Sequence, residues 1–141
     1  MKKHPDWEQR LHDFLALNKD TKFSWGVWDC CIFVDSGTKA MTGSHVIPEF
    51  TAWGNKRAAL ETIREYSGNL TGCVNKAALS AGMVEVPPSD VMKGDLVVYT
   101  SEGNDGAGIY DGYAIAAPSD EGLARKRKEL ISKAYRANES D

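Results

Sequence analysis

The pattern of apolar residues changes at Pro87-Pro88, and this change constrains the fold more than any other feature of the chain. Before it, apolar residues recur every three or four positions, as they do on one face of a helix. After it, they form short runs bounded by glycine and aspartate, as in β-strands. This order predicts an α+β fold with N-terminal helices packed on a small antiparallel sheet. No linker or repeat divides the 141 residues, so we expect a single domain over 1–141.

Four helices are expected in the first part of the chain, each with an apolar stripe and a polar start. In the third, Leu60 is expected on the buried stripe with Ala59 and Ile63. The first predicted helix opens at Pro5-Asp6, the second runs from about Cys30 to Met41 and stops at Gly43, the third runs from about Asn55 to Tyr66, and the fourth is capped by Thr71 and closed by Gly82.

Short strands are expected in the second part, at residues 96–99, 107–110, 113–117 and 132–136. Asp111-Gly112 predicts a two-residue type I′ hairpin turn between the second and third of them. The glycine-rich residues 103–108 are interpreted as a mobile loop. The basic stretch 123–131 is expected to be helical or irregular.

Composition excludes several classes of partner. The net charge is −3, with no basic footprint for nucleic acid. No run of 18 apolar residues could span a membrane, and no secretory signal is recognisable at the start. Three cysteines, two of them adjacent, are neither a disulfide framework nor a zinc motif, so we expect a reducing compartment, no metal and no cofactor.

Asp29-Cys30 is the strongest candidate for a chemical site. An Asp before a helical pattern is a natural N-cap, which places Cys30 in the first turn. Unpaired N–H groups and the helix dipole favour a thiolate there, and a thiolate is the nucleophilic form of cysteine. The alternative is that Cys30 is a small buried apolar residue. Trp25, Trp28 and Trp53 could line a groove nearby or belong to the core.

Several motifs occur together in a defined order. They are the aromatic-glycine stretch Phe23-Ser24-Trp25-Gly26, then Asp29-Cys30, then residues 94–97 (Gly-Asp-Leu-Val), and then residues 108–112 (Gly-Ile-Tyr-Asp-Gly). In this the chain resembles the papain-like cysteine hydrolases of NlpC type, which cut peptide bonds in bacterial peptidoglycan stems, and in particular a compact phage-encoded branch. The resemblance covers roughly residues 23–112.

The resemblance implies a papain-like fold in which Cys30 is the nucleophile if the protein is active. The family's histidine base falls on Gly106, which has no side chain to move a proton. The usual Ser-Gly after the cysteine is replaced by Cys31-Ile32. Positioned acid–base catalysis contributes about 10²–10⁴ in rate, so this loss is large. Trp25, Trp28 and Asp105 remain candidate binding residues around the expected cleft.

Two principal hypotheses follow from the resemblance. The first is a degenerate, non-catalytic domain in a phage or prophage tail or tail tip, made in the bacterial host cytoplasm and then part of the virion, with other tail proteins as partners. The second is an active peptidase or amidase that cleaves peptidoglycan stems as the genome enters the cell, with His45, His12 or Asp105 replacing the base. His4, at the start of the chain, could also fold back to Cys30. A cytosolic regulator that binds a small ligand is a third alternative.

Overall fold

The computed structural model describes residues 1–47 and 55–138. Within them, four α-helices precede a six-stranded antiparallel sheet, which confirms the predicted α+β class. The helices are α1 (Trp7–Leu17), α2 (Cys30–Thr42), α3 (Lys56–Ser67) and α4 (Leu70–Ser80). None of the described helices combines the length and apolar character needed to cross a bilayer.

The sheet has the order β1-β6-β2-β3-β4-β5, so the last strand returns to lie between the first two. Its strands are β1 (Val84–Val86), β2 (Leu96–Ser101), β3 (Asn104–Tyr110), β4 (Ile115–Ser119), β5 (Gly122–Lys126) and β6 (Ile131–Arg136). Short 3-10 turns at Pro88–Asp90 and Lys128–Leu130 flank it.

The main core lies between the helices and one face of the sheet. Leu11, Phe33 and Val74 from the helices are fully buried against Leu96 and Ile109 from the strands. The opposite face forms a smaller cluster around Val97, Tyr99 and Ile115. Both faces of β2 are therefore buried, which explains why residues 96–99 are a continuous apolar run rather than an alternating one.

Helix α2 lies directly on the central strand β3, and Gly37 makes this approach possible. A Cβ atom at Gly37 would overlap the side chain of Ile109 and lie 3.1 Å from the Phe14 ring. Gly43 ends the helix in the left-handed conformation, as predicted, with φ +79°. The contact between α2 and β3 sets where the start of α2, and with it Cys30, lies along the sheet.

Some predicted details of the helices are wrong. Asn69, not Thr71, caps α4: its side chain accepts from the Gly72 N–H at 2.7 Å. The Thr71 hydroxyl instead donates to Asp105. Leu60 is not on the buried stripe of α3 but 48% exposed, because that part of α3 faces a cleft.

The two-residue hairpin turn occurs at a different place in the chain from the one predicted. The two-residue turn with positive φ at both central residues is at Glu102 (φ 53°) and Gly103 (φ 79°), between β2 and β3. At Asp111-Gly112 the connection has four residues, because the Asp111 carboxylate accepts from the Tyr113 and Ala114 N–H groups.

Two segments in the second part of the chain are more regular than expected. Residues 104–108 are not a mobile loop but most of strand β3, where they pair with β2. The basic stretch 123–131 contains most of strand β5, whose pairing with β4 supplies the order that its polar sequence does not suggest.

Candidate functional site

The buried carboxylate of Asp29 fixes the start of α2. Its Oδ1 accepts from the Ile32 N–H, and its Oδ2 accepts from the Gly26 N–H, both at 3.0 Å. The first bond is the expected N-cap, and the second ties the preceding turn to the helix. Cys30 is consequently the first residue of α2, as the sequence predicts.

Strands β3 and β4 separate beside Cys30, where a cleft opens. Strands β3 and β4 pair at Ile109↔Ala116 and Tyr110↔Ile115, after which β4 continues beside β5. The same register would place Pro118 opposite Ala107, and proline has no N–H to donate. The backbone of Ala107 instead faces the Cys30 sulfur, whose pKa it helps to lower.

The pKa of Cys30 is lowered. The largest cause is a hydrogen bond from the Cys31 thiol, and the backbone of Ala107 acts in the same direction. Burial and the negative charge of Asp29 oppose them. Hydrogen bonds to the sulfur favour its charged form because they stabilise the negative charge.

The other two cysteines are shifted in the opposite direction. The hydrogen bond that Cys31 donates to Cys30, together with burial, raises the pKa of Cys31. Burial and the nearby charge of Cys30 raise the pKa of Cys73 to about 11. The three free thiols therefore differ, with Cys30 the one most easily ionised and the only one that is not fully buried.

The cleft above Cys30 has a volume of about 540 Å³. Helices α3 and α4 form one wall, the segment before α2 forms another, and β2 and β3 form the floor. The residues that matter for its chemistry are Trp25, Cys30, Lys56, Arg64, Tyr99, Asp105 and Gly106. Its lining therefore combines an aromatic wall, a thiol, two cations and a carboxylate.

Gly106 lies in this cleft, at the place where the resemblance puts the histidine. It pairs with Tyr99 across the β2–β3 hairpin. A Cβ atom at Gly106 would lie 2.5 Å from Cζ and 2.6 Å from Oη of Tyr99. The tyrosine ring thus fills the space in which a side chain at position 106 would begin.

None of the three histidines, all within the described residues, lines this cleft. His4 approaches Gly43, at the far end of α2 and about 20 Å from Cys30 by helix length. His12 lines a separate depression with Asp111 and Tyr113. His45 is held by Asp35, with Nδ1 2.7 Å from Oδ2, and is largely exposed.

The other predicted site residues are divided between the cleft and the core. Trp25 lines the cleft and packs edge-on against Phe23, with ring centroids 4.9 Å apart. Trp28 instead packs with Phe14 and Phe33. Trp53 lies outside the described residues.

Asp105 lies at the rim of the cleft, where two hydroxyls fix its carboxylate. It accepts from Thr71 at 2.8 Å and from Thr100 at 2.9 Å. Both of its oxygens are therefore engaged in acceptor roles. This arrangement supports a fixed acceptor at the rim rather than a free proton carrier.

Sequence reasoning missed Tyr99 as a site residue. The signal was present: a two-residue turn at Glu102-Gly103 places Tyr99 directly opposite Gly106, on the same face of the sheet. Among the described residues, no group of three or more His, Cys, Asp or Glu side chains could hold a metal ion.

A family model described as a domain of unknown function (DUF6950) matches residues 2–137. No curated protein matches the chain.

Proposed function

We propose that this chain, which belongs to the DUF6950 family, is a papain-like domain of NlpC type that binds a partner through its cleft and does not hydrolyse it. The context we propose is the tail or tail tip of a phage or prophage, with synthesis in the host cytoplasm and incorporation into the virion. The other tail proteins are the proposed partners, and the proposal requires neither nucleic acid nor a membrane span.

One observation carries the non-hydrolytic part of the proposal. The position of the missing base is filled by the Tyr99 ring packed over Gly106, and none of the three histidines lines the cleft. Amide cleavage by a thiolate requires a proton for the leaving amine as well as a nucleophile. The pKa of Tyr99 is raised to about 12, so this phenol is a weak proton donor for that step.

The tail context is supported by the resemblance to compact phage-encoded domains. The binding role is supported by the form of the cleft, whose wall includes the exposed Leu60 and the aromatic Trp25. An apolar wall with a few polar groups is typical of sites that bind a ligand.

Hydrolysis is tested directly. Purified protein should release no fragments from peptidoglycan or synthetic stem peptides above the level of Cys30→Ala. Phage carrying Cys30→Ala should assemble tails and infect normally. Fragment release that depends on Cys30, or a large loss of infectivity in a well-folded Cys30→Ala particle, would contradict the proposal.

The binding role has a matched control on the surface. Leu60 in the cleft and Leu79 on α4 are both 48% exposed, but Leu79 is not among the residues that line the cleft. Leu60→Glu should reduce co-purification with tail proteins at least tenfold, while Leu79→Glu should not. Equal effects of the two substitutions would argue against docking in the cleft.

The second candidate function is an active cysteine peptidase or amidase. The lowered pKa of Cys30 and its place at the start of α2 favour it, because both prepare a nucleophile. On this hypothesis Cys30 forms an acyl-enzyme with a stem peptide. Mass spectrometry of protein quenched during incubation with peptidoglycan tests for that adduct, and its appearance would favour this function over the first.

A further inference from the structure

The Tyr99 hydroxyl lies where a largely buried side chain reaches the cleft. Tyr99 is 8% exposed, and its hydroxyl makes no hydrogen bond to any described residue. The residue lines the cleft, so a bound molecule can supply an acceptor for this hydroxyl.

The absence of a side chain at Gly106 determines where this hydroxyl lies. Because Gly106 has no side chain, the Tyr99 ring extends across β3, with its oxygen 2.6 Å from where a Cβ would be. The edge of β3 that it reaches is the one that β4 leaves unpaired, beside Ala107 and Cys30. The phenol and the thiol therefore open into the same space.

The protonation state of the phenol limits what it can bind. Burial, with the nearby charge of Cys30, raises the pKa of Tyr99 to about 12. The hydroxyl thus stays protonated over the physiological range and is a hydrogen-bond donor rather than a base. Its complement in a ligand is an oxygen acceptor.

We propose that Tyr99 is a ligand-binding residue whose hydroxyl donates to a carbonyl or carboxylate oxygen of a molecule seated beside Cys30. This inference rests on the proposed function, since it specifies what the cleft binds. Lys56 and Arg64, which make no ion pair with any described residue, line the same cleft and would favour a carboxylate over a neutral amide.

The test places each kind of oxygen in the cleft by covalent attachment. Iodoacetamide converts the Cys30 thiolate into an S-carboxamidomethyl group with loss of iodide, iodoacetate gives the S-carboxymethyl group, and allyl bromide gives an S-allyl group without an oxygen. Peptide mapping confirms that Cys30 alone is modified.

The melting temperature of each adduct is then compared in the wild type, in Tyr99→Phe and in the control Tyr110→Phe. Tyr110 is equally buried but does not line this cleft.

At least one oxygen-bearing adduct should melt about 2–5 °C above the allyl adduct in the wild type and in Tyr110→Phe. That difference should vanish in Tyr99→Phe, which keeps the ring and removes only the hydroxyl. A larger effect for the carboxymethyl adduct identifies a carboxylate ligand, and a larger effect for the carboxamidomethyl adduct identifies an amide carbonyl.

Three results would overturn the inference: no difference between adducts, a difference that persists in Tyr99→Phe, or failure of all three reagents to reach Cys30. None of these measurements reports peptide hydrolysis. The inference and the proposed function can therefore fail separately.

Discussion

The Tyr99 ring occupies the space that a side chain at Gly106 would need: the tyrosine oxygen lies 2.6 Å from where a Cβ at Gly106 would be. The two residues face each other across a regular antiparallel pair. The Tyr99 ring therefore fills the space above Gly106, and a side chain cannot be introduced there without moving the ring.

This competition predicts a strong coupling between the two positions. Gly106→Ala should lower the free energy of unfolding by about 1–3 kcal/mol through overpacking. In a Tyr99→Ala background the same substitution should cost little, because the obstructing ring is gone. Urea unfolding of the four proteins in the cycle measures the coupling.

A neighbouring glycine provides the control for that cycle. A Cβ at Gly108 would lie 2.5 Å from the Ala116 backbone carbonyl oxygen, which Tyr99→Ala does not move. The cost of Gly108→Ala should therefore be similar in both backgrounds. Additive effects at position 106 would show that the ring does not fill that space.

Cys31 is predicted to control the reactivity of Cys30. Its thiol makes the hydrogen bond that is the largest cause of the lowered pKa of Cys30. Cys31→Ala should shift the midpoint of the pH profile for Cys30 alkylation upward, so that less thiolate is present at neutral pH. Alkylation rates followed by mass spectrometry between pH 5 and about 10 test this.

Cys73→Ala is the comparison for that profile, because Cys73 is not among the causes of the Cys30 shift. Its midpoint should stay near that of the wild type. If Cys31→Ala lowered the midpoint or left it unchanged, the Cys31 thiol would not be the donor.

Substitutions of Asp29 should separate its charge from its role as a cap. Asp29 raises the pKa of Cys30 through its charge, so Asp29→Asn should lower the alkylation midpoint while it keeps an acceptor for the Ile32 N–H. Asp29→Ala should also lower the midpoint, but it removes the cap and costs about 0.5–2 kcal/mol of stability. A midpoint that rises in Asp29→Asn would contradict the assigned sign.

The ion pair between Asp95 and Arg136 should contribute strongly to the stability of the fold. Arg136 donates to both oxygens of the fully buried Asp95, at 2.9 and 2.8 Å. Arg136→Ala leaves that carboxylate buried without its cation, so it should cost about 3–5 kcal/mol. Chemical denaturation measures the loss.

An exposed pair gives the reference for that loss. Arg57 and Glu61 lie one turn apart on α3, 90% and 61% exposed. Arg57→Ala should change the unfolding free energy by less than about 0.5 kcal/mol. Comparable losses at the two arginines would mean that burial does not strengthen the Asp95 pair.

The sequence predicted the helices well because their signals are local. The Asp29 side chain caps the start of α2, and Gly43 ends the helix in the left-handed conformation. Both signals depend on a few neighbouring residues. The expected place of Cys30 follows from the same local chemistry. Leu60 was placed wrongly because its exposure depends on a cleft formed by segments distant in the chain.

The strands were harder to predict because pairing with partners decides them. Residues 104–108 contain two glycines and few apolar side chains, yet β2 holds them as a strand. The role of Tyr99 is hidden for the same reason, since it depends on which residue lies opposite. The sequence drew attention to Gly106, but it did not indicate that the Tyr99 ring packs over that glycine.

Gly37 lies outside the cleft, yet it influences the geometry of the cleft. Cys30 lies seven residues earlier on α2, about 10 Å along the helix. A larger residue at position 37 would push helix α2 away from Ile109 and displace the first turn of α2, which contains Cys30. A substitution at position 37, two helical turns from Cys30, can therefore alter the chemistry of the sulfur, although Gly37 does not line the cleft.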